Sequence, residues 1–464
     1  MGQKSSSLVE GHRLSEHVTL GVLARVVPVD LVDAVLRETG RQNWRARQLL
    51  PRVVVYYVMA LTLYAHASYD AVLRELVEGL RWLHWDGAAL GLACKSAITQ
   101  ARVRLGEAPL RELFRRIARP LAEPGAPGAW YRGRRLVSFD GTTIDVPDLP
   151  VLERHFGRPP ASRGSSGFPQ LRLLALLETG THAIFAAVIA GFAVGEVTLA
   201  RQIVAHLKPG MLCLADRAFV GYTLWRDAAA TGADLLWRAR RIAVFPCLQR
   251  LDDGSFLSRL YPSSDHRRRD RDGLTVRIIE YRMPGVPGGD QIYRLVTTIL
   301  DAQAAPATEL AALYHERWED ETVLAEVKVT MPGGRLMLRS RRPDLIRQEV
   351  YGLLLTHFAI RQLMVEASRR AACDPDTLSF VHTIEIVRRN LPSTSLFPPD
   401  GRARMEEAIL IEIALLPADR SRGRHNPRAV KRKMSHFPTK SRAQPLLPPK
   451  QRLIYAEHIS IKTH

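Results

Sequence analysis

The chain has 464 residues, 46% hydrophobic, 24% charged and 7% aromatic, a length for about three ordinary domains and a composition that excludes wholesale disorder or a fibrous repeat. Its 66 Lys and Arg against 47 acids leave a net charge of +19. An excess of that size points to a polyanionic partner, nucleic acid first, and since only nine of the cations are Lys, most of them carry the planar fork that suits phosphate.

The N-terminus, MGQKSSSLVEGHRLSEHV, has no apolar h-region and therefore does not read as a signal peptide. Residues 13–119 are rich in helix formers and show helical spacing in LVDAVLRETG, YDAVLRELVEGL and PLRELFRRIARPL. A Pro/Gly stretch at 120–134 reads as a linker. An apolar run ending in an acid and a turn follows at 136–148 (LVSFDGTTIDVPD), then two β-runs at 171–192, a hairpin turning at Glu178–Thr181. A helix at 196–207, a strand at 211–216, a helix at 222–231 and a strand at 234–240 complete an alternation that predicts an α/β core with a mixed sheet. Between 241 and 304 the texture is β-rich. A long helix is predicted at 307–330, with others at 343–370, 376–390 and 402–415. The apolar stretches 171–193 and 352–365 are interrupted by Arg172, Glu178 and Arg361, which argues for buried strands and a core helix instead of membrane spans. Residues 420–442 hold nine Lys or Arg and no acid, the pattern of a basic nucleic-acid tail.

Cys94, Cys213, Cys247 and Cys373 are scattered, with no C-x-x-C spacing, which argues against a zinc ribbon and fits a reducing cytoplasm. The 15 His show no metal-ligand spacing either. Carboxylates carry the chemical signal. Asp140 and Asp216 each close an apolar strand pattern, at the strand ends where α/β sheets bind ligands. A single such Asp is more often a turn residue. The helix at 307–330 adds a third acid: advancing 100° per residue puts Tyr314, Arg317, Glu321 and Lys328 within an arc of about 60°. The other acids there, Glu316, Glu319, Asp320 and Glu326, point elsewhere. A solvated face of paired charges would give the same stripe. The alternative is a site in which three carboxylates hold hard divalent ions and the cations and phenol hold a phosphodiester, as two-metal phosphoryl transfer requires. Asp145, Asp148 and Glu326 are rival acids, read as turn or surface residues.

Tyr314-x-x-Arg317-x-x-x-Glu321-x-x-x-x-x-x-Lys328 resembles the Y-R-E-K signature of the DDE transposases of bacterial insertion sequences, of the insertion-sequence-four type. LYHERWEDE around it, FDGTTIDVPD around Asp140, ADRAF around Asp216, SAITQARVRLG (96–106), 338–364 and NPRAVKRKMSHFP (426–438) resemble the same family. Asp320 departs from the pattern, which has an apolar residue before the Glu. The resemblance implies an α/β, ribonuclease-H-like mixed-sheet core interrupted by a β-rich insertion, with a helical N-terminal domain and a helical C-terminal region. The expected divisions are 1–125, a helical DNA-binding domain; 130–240 and 305–372, the two parts of the core; 241–304, the insertion; and 373–464, helices with the basic tail.

By the same resemblance Asp140, Asp216 and Glu321 would bind two Mg²⁺, or Mn²⁺, ions. Tyr314, Arg317 and Lys328 would contact the terminal phosphates. The enzyme would cut double-stranded DNA at terminal inverted repeats and join the 3′-hydroxyl ends to target DNA, as a homodimer in the synaptic complex, in the bacterial cytoplasm at the nucleoid. On the residues alone, Arg102 and Arg104 are candidates for DNA contact from a helix, and the Arg runs at 132–135, 267–269 and 339–342 for phosphate tracking. A nuclease on the same fold and a catalytically inactive remnant that binds element ends remain as alternatives. Glycoside hydrolysis is disfavoured, since sugars give no reason for the charge.

Overall fold

The computed structural model describes residues 25–42, 49–81, 94–161, 164–165, 167–284, 291–334, 336–390, 399–415, 417 and 455–462. Five helices come first: α1 (Val29–Glu38), α2 (Pro51–Leu63), α3 (Tyr69–Arg81), α4 (Lys95–Leu105) and α5 (Ala108–Ile117). The core begins with β1 (Trp130–Tyr131), β2 (Arg134–Asp145), α6 (Pro150–Phe156), the two-residue strands β3 (Pro160–Ala161) and β4 (Gly164–Ser165), β5 (Gln170–Glu178) and β6 (Ile184–Gly191). It continues through α7 (Glu196–Ile203), β7 (Met211–Ala215), α8 (Tyr222–Ala229) and β8 (Asp234–Arg238). The β-rich stretch supplies β9 (Gln249–Arg250), β10 (Phe256–Leu260), α9 (Ser264–Arg268), β11 (Leu274–Arg282) and β12 (Tyr293–Thr297). Then come α10 (Ala307–Glu316), α11 (Trp318–Ala325), a π-helical turn (Glu326–Thr330), α12 (Pro343–Arg370), α13 (Phe380–Asn390), α14 (Pro399–Leu415), α15 (Tyr455–His458) and β13 (Ser460–Ile461).

The sheet order is β6-β5-β2-β7-β8-β12-β11-β10-β9. β5 and β6 run antiparallel, as do β2 and β5, whereas β7 lies parallel to β2 and β8 parallel to β7. Five strands in that order and sense make the ribonuclease-H-like core. The β-rich stretch does not stand apart from it: β12 pairs antiparallel with β8, Val296 opposite Trp237, so one sheet runs through both. The turn before β10 also reaches back, because Asp253 pairs with buried Arg277 and accepts the Ala307 N–H at 2.8 Å, at the first residue of α10.

Alternation along each strand sorts the two faces. Val137, Phe139, Leu174, Leu176, Cys213 and Ala215 pack against α7 and α8. Leu136, Leu212, Leu214 and Leu236 pack under α10. Leu171, Leu173, Ala175 and Leu177 join a larger core with α12 and the N-terminal helices. α12 is buried along most of its 28 residues and packs on α2, so α1–α5 share its core instead of closing a separate one. The 120–134 stretch is also tied in. Leu121 and Ala122 are buried, and both their N–H groups donate to Glu178 Oε2 at 2.8 Å. Among the described residues no helix is long and apolar enough to cross a membrane.

Candidate active site

β2 is longer than its sequence suggests. It runs on through Asp145, so Asp140 lies within the strand and does not end it. The reason is β5, which stays paired with β2 out to Asp145–Gln170. What does end near Asp140 is the parallel pairing with β7: the last pair is Ser138–Leu214, and β7 stops at Ala215. Continuing that register two residues sets Asp140 opposite Asp216. The β2–β7 border is where the strand order reverses direction, the topological switch point at which open α/β sheets bind ligands beyond their carboxyl ends. Alternation assigns Asp140 and Asp216 to the face of Leu136, Leu212 and Leu214, the face that α10 covers. Both are half-buried, and Asp216 Oδ1 accepts the Ala218 N–H at 2.7 Å, fixing the turn after β7.

The segment carrying Glu321 is tethered to both strands. Tyr314, 4% exposed, donates its hydroxyl to the Ala215 carbonyl at 3.3 Å, immediately before Asp216. Burial raises the phenol's pKa; Arg317, whose guanidinium lies 5.7 Å from the Tyr314 ring centre, opposes the rise. At the other end Lys328 donates to Thr142 Oγ1 at 2.8 Å, on the same face of β2 as Asp140. α11, which carries Glu321, packs on β2 between these tethers. The side chains of Trp318, Glu319, Asp320 and Glu321 lie outside the described residues. The helix expected at 307–330 is interrupted twice: at Arg317, where Arg317 N–H bonds three residues back to Tyr314, and in the π turn, where Met331 N–H bonds five residues back to Glu326.

Beside Asp216 an open hollow is lined by Arg217, Ala218, Arg240, Arg241 and Ile242. The arginines are exposed, and Ile242 is 85% exposed. Sequence reading missed Arg240, Arg241 and Ile242; their signal was position, directly after β8, the parallel neighbour of the Asp216 strand.

Several expectations need correction. Arg102 is 1% exposed and faces protein instead of DNA. It donates to Gln348 Oε1 at 2.9 Å, Ser340 Oγ at 3.0 Å and Glu349 Oε1 at 3.2 Å, clamping α4 to α12. Arg104 is half-buried on the same helix. The run at 132–135 is committed to ion pairs, Arg132 with Glu309, Arg134 with Asp234 and Arg135 with Glu178. Arg339 stacks over Tyr69 at 4.9 Å and Arg342 pairs with Asp344. Glu326 is no surface residue: it is 1% exposed and paired with Arg361. Asp145 is likewise buried, accepting from Gln170 at 2.7 Å. The basic stretch 420–442 lies outside the described residues.

Residues 17–115 match the family model for the insertion element 4 transposase N-terminal region, and residues 131–359 match that for the transposase DDE domain. The chain belongs to the DDE transposases of the insertion-sequence-four type. It is 27% identical over 422 residues to the transposase InsG for insertion sequence element IS4 of Escherichia coli strain K12, covering 88% of this chain and 91% of that protein. It is 28% identical over 229 residues to the putative transposase InsZ of the same strain, covering 49% of this chain and 73% of the relative. A cryo-EM structure of a piggyBac transposase synaptic complex with hairpin DNA aligns over 88% of this chain and 85% of that one, at 11% identity and a TM-score of 0.45. As a DDE transposase the chain is a DNA-cleaving and strand-transfer enzyme, and dependence on a divalent metal is general to that domain. Asp140, Asp216, Tyr314, Arg317, Glu321 and Lys328 all fall within the matched 131–359 segment.

Proposed function

We infer that this transposase cleaves DNA at the terminal inverted repeats of its element and joins the freed 3′-hydroxyl ends to target DNA, with Asp140, Asp216 and Glu321 as its catalytic acids. One observation carries the reading: the β2–β7 register, continued two residues beyond its last pair, sets Asp140 opposite Asp216 at the switch point, and the segments on either side of the Glu321 helix are tethered to both strands, Tyr314 to Ala215 and Lys328 to Thr142. The donors fit Mg²⁺ or Mn²⁺, because two half-buried carboxylates on neighbouring strands offer hard oxygen ligands and no sulfur or imidazole. When bound, two such ions would activate the attacking oxygen and stabilise the leaving one.

The chain's own residues do the positioning. Tyr314, by fixing the Ala215 carbonyl, sets where the Asp216 carboxylate emerges. Lys328 and Arg317 supply positive charge on either side of Glu321 for the phosphates next to the cleaved bond. Arg217, Arg240 and Arg241 continue that charge outward from Asp216 and lead the strand into the cleft. Arg104 is a further candidate phosphate contact on the N-terminal helices. Two element ends must be held together for joining, which makes a homodimer the working unit, and a chromosomal substrate puts the enzyme at the nucleoid in the cytoplasm.

The test is cleavage and joining of a duplex that carries the inverted repeat flanking this gene, in Mg²⁺, with a supercoiled plasmid as target. Wild type should nick the repeat end and join it. Asp140→Asn, Asp216→Asn and Glu321→Gln should each lose about 10³-fold or more, the scale of a removed charge-stabilising group. Full activity in any of the three overturns the assignment. Cleavage without joining identifies a nuclease, and salt-dependent end binding without metal-stimulated turnover identifies an inactive remnant. Light scattering of the DNA complex reads the stoichiometry.

A further inference from the structure

Glu326 opens the π-helical turn, Glu326–Thr330, that follows the Glu321 helix and contains Lys328, and its carboxylate is sealed from solvent. A buried carboxylate is costly unless neighbours compensate it. Arg361, on α12, donates to it from Nε at 3.0 Å and from a terminal nitrogen. His357, one turn earlier on α12, lies 3.2 Å away through Nε2, which must be the donor because a carboxylate only accepts. Arg361 also donates to Nδ1 of His182 at 2.6 Å, in the β5–β6 turn. By that bond the His182 proton is assigned to Nε2, 3.3 Å from Asp376. The Phe380 ring closes the cluster, 4.9 Å from the guanidinium. Burial works against the ionised carboxyl, but the Arg361 cation and the hydrogen bond from His357 outweigh it and hold the group well below the usual carboxylate range.

The backbone of the same residue makes the π turn, its carbonyl accepting Met331 N–H at 2.8 Å. A π turn holds more residues than an α turn and so shifts the angular position of the side chains within and after it; such turns recur at functional sites. Lys328 is the polar residue directly affected, and it ends 2.8 Å from Thr142, beside Asp140 along β2. Stability gives a weak reason for this cluster, since apolar residues of equal volume commonly replace a buried ion pair without loss.

We propose that the Glu326–Arg361 pair is a positioning device for the active site: it fixes the phase of the π turn and thereby sets the Lys328 ammonium against the scissile phosphate. The proposal rests on the assignment of Asp140, Asp216 and Glu321 made above. Its test is a double-mutant cycle on single-turnover cleavage of a bound repeat-end duplex in Mg²⁺. Glu326→Gln keeps the side chain's shape; its cleavage rate should fall about 30-fold while the Kd for the end stays within about threefold. In a Lys328→Ala background the same exchange should cost less than about threefold, because the route through Lys328 is already gone.

Equal losses in the two backgrounds, or a wild-type rate for Glu326→Gln, overturn the proposal. Should Glu326→Gln fail to fold, Arg361→Lys, which keeps the charge and loses the fork, carries the same cycle. A readout without turnover accompanies it. Replacing the scissile phosphate by a neutral methylphosphonate should weaken end binding to wild type, and that difference should vanish in Glu326→Gln; its persistence counts against the proposal. Asp140→Asn separates the two readings. If that variant stays active, the assignment of the acids falls, whereas an inactive Asp140→Asn with an additive cycle removes only the role of Glu326.

Discussion

At His315 a single buried imidazole ties stability to pH. It is 3% exposed, follows Tyr314 directly and has Nε2 2.9 Å from the Tyr281 hydroxyl. Burial, then the Arg238 and Arg317 cations, push its pKa down from 6.5 to about 4. The folded protein therefore keeps this ring neutral where the unfolded chain takes up a proton. Its share of stability is complete above pH 6.5 and is lost as pH falls toward 4, a total of about 3 kcal/mol at 1.36 kcal/mol per unit. The Tm measured from pH 7 to pH 4 should decline across that window, and His315→Gln should flatten the decline even if its Tm at pH 7 is lower. An unchanged slope in the variant would place the proton uptake elsewhere. The same residue shows why function was easier to read than environment. His315 lacks any partner at ligand spacing in the sequence, so no role was assigned; its surroundings come from β11 and β12, which only the fold brings to it.

Two sets of arginines, on different elements, separate structural charge from the charge proposed to meet DNA. Arg102 clamps α4 to α12 through buried partners. Arg102→Met should destabilise the protein by about 3–5 kcal/mol, since Glu349 is left buried without its cation, while the salt dependence of DNA binding in the folded fraction stays unchanged. Arg240→Ala and Arg241→Ala should behave oppositely, with Tm within a degree or two of wild type. Each should reduce the slope of log K against log salt by about 0.9, the signature of one lost phosphate contact. Chemical denaturation and a salt titration read both, and a reduced slope for Arg102→Met would reverse the assignment. The elements themselves were largely legible. Apolar runs between turns and helices marked β5 through β8, whereas the single helix on which Tyr314, Arg317, Glu321 and Lys328 were placed is broken at Arg317 and in the π turn. Arg102 was misread because its partners Gln348 and Glu349 lie 246 and 247 residues away along the chain on α12, so identity suggested a basic surface where packing makes a core. The π turn was invisible for the same reason, its anchor Arg361 lying 35 residues downstream.

Across the whole molecule, one sheet joins the catalytic core to the β-rich stretch, and the Asp253–Arg277 pair holds the first residue of α10. The segment from α10 to the π turn, within which Glu321 lies, is thus braced from the insertion, from β7 and from β2 at once, and under the proposed assignment of the acids metal binding should register as global stability. The β2–β7 register, continued two residues past its last pair, sets Asp140 opposite Asp216, an arrangement of like charges that weakens a sheet unless a cation lies between them. Wild type should therefore gain from Mg²⁺ in thermal unfolding, by about 2.7 kcal/mol at a hundredfold excess over Kd. Asp140→Asn should reverse the order between conditions. In EDTA it loses a like-charge contact and unfolds no lower than wild type; in Mg²⁺ it lacks a ligand and unfolds below it. A structural role for Asp140 predicts a lower Tm in both conditions, and a surface role predicts no difference in either. Only a carboxylate pair that binds a divalent cation makes the two curves cross.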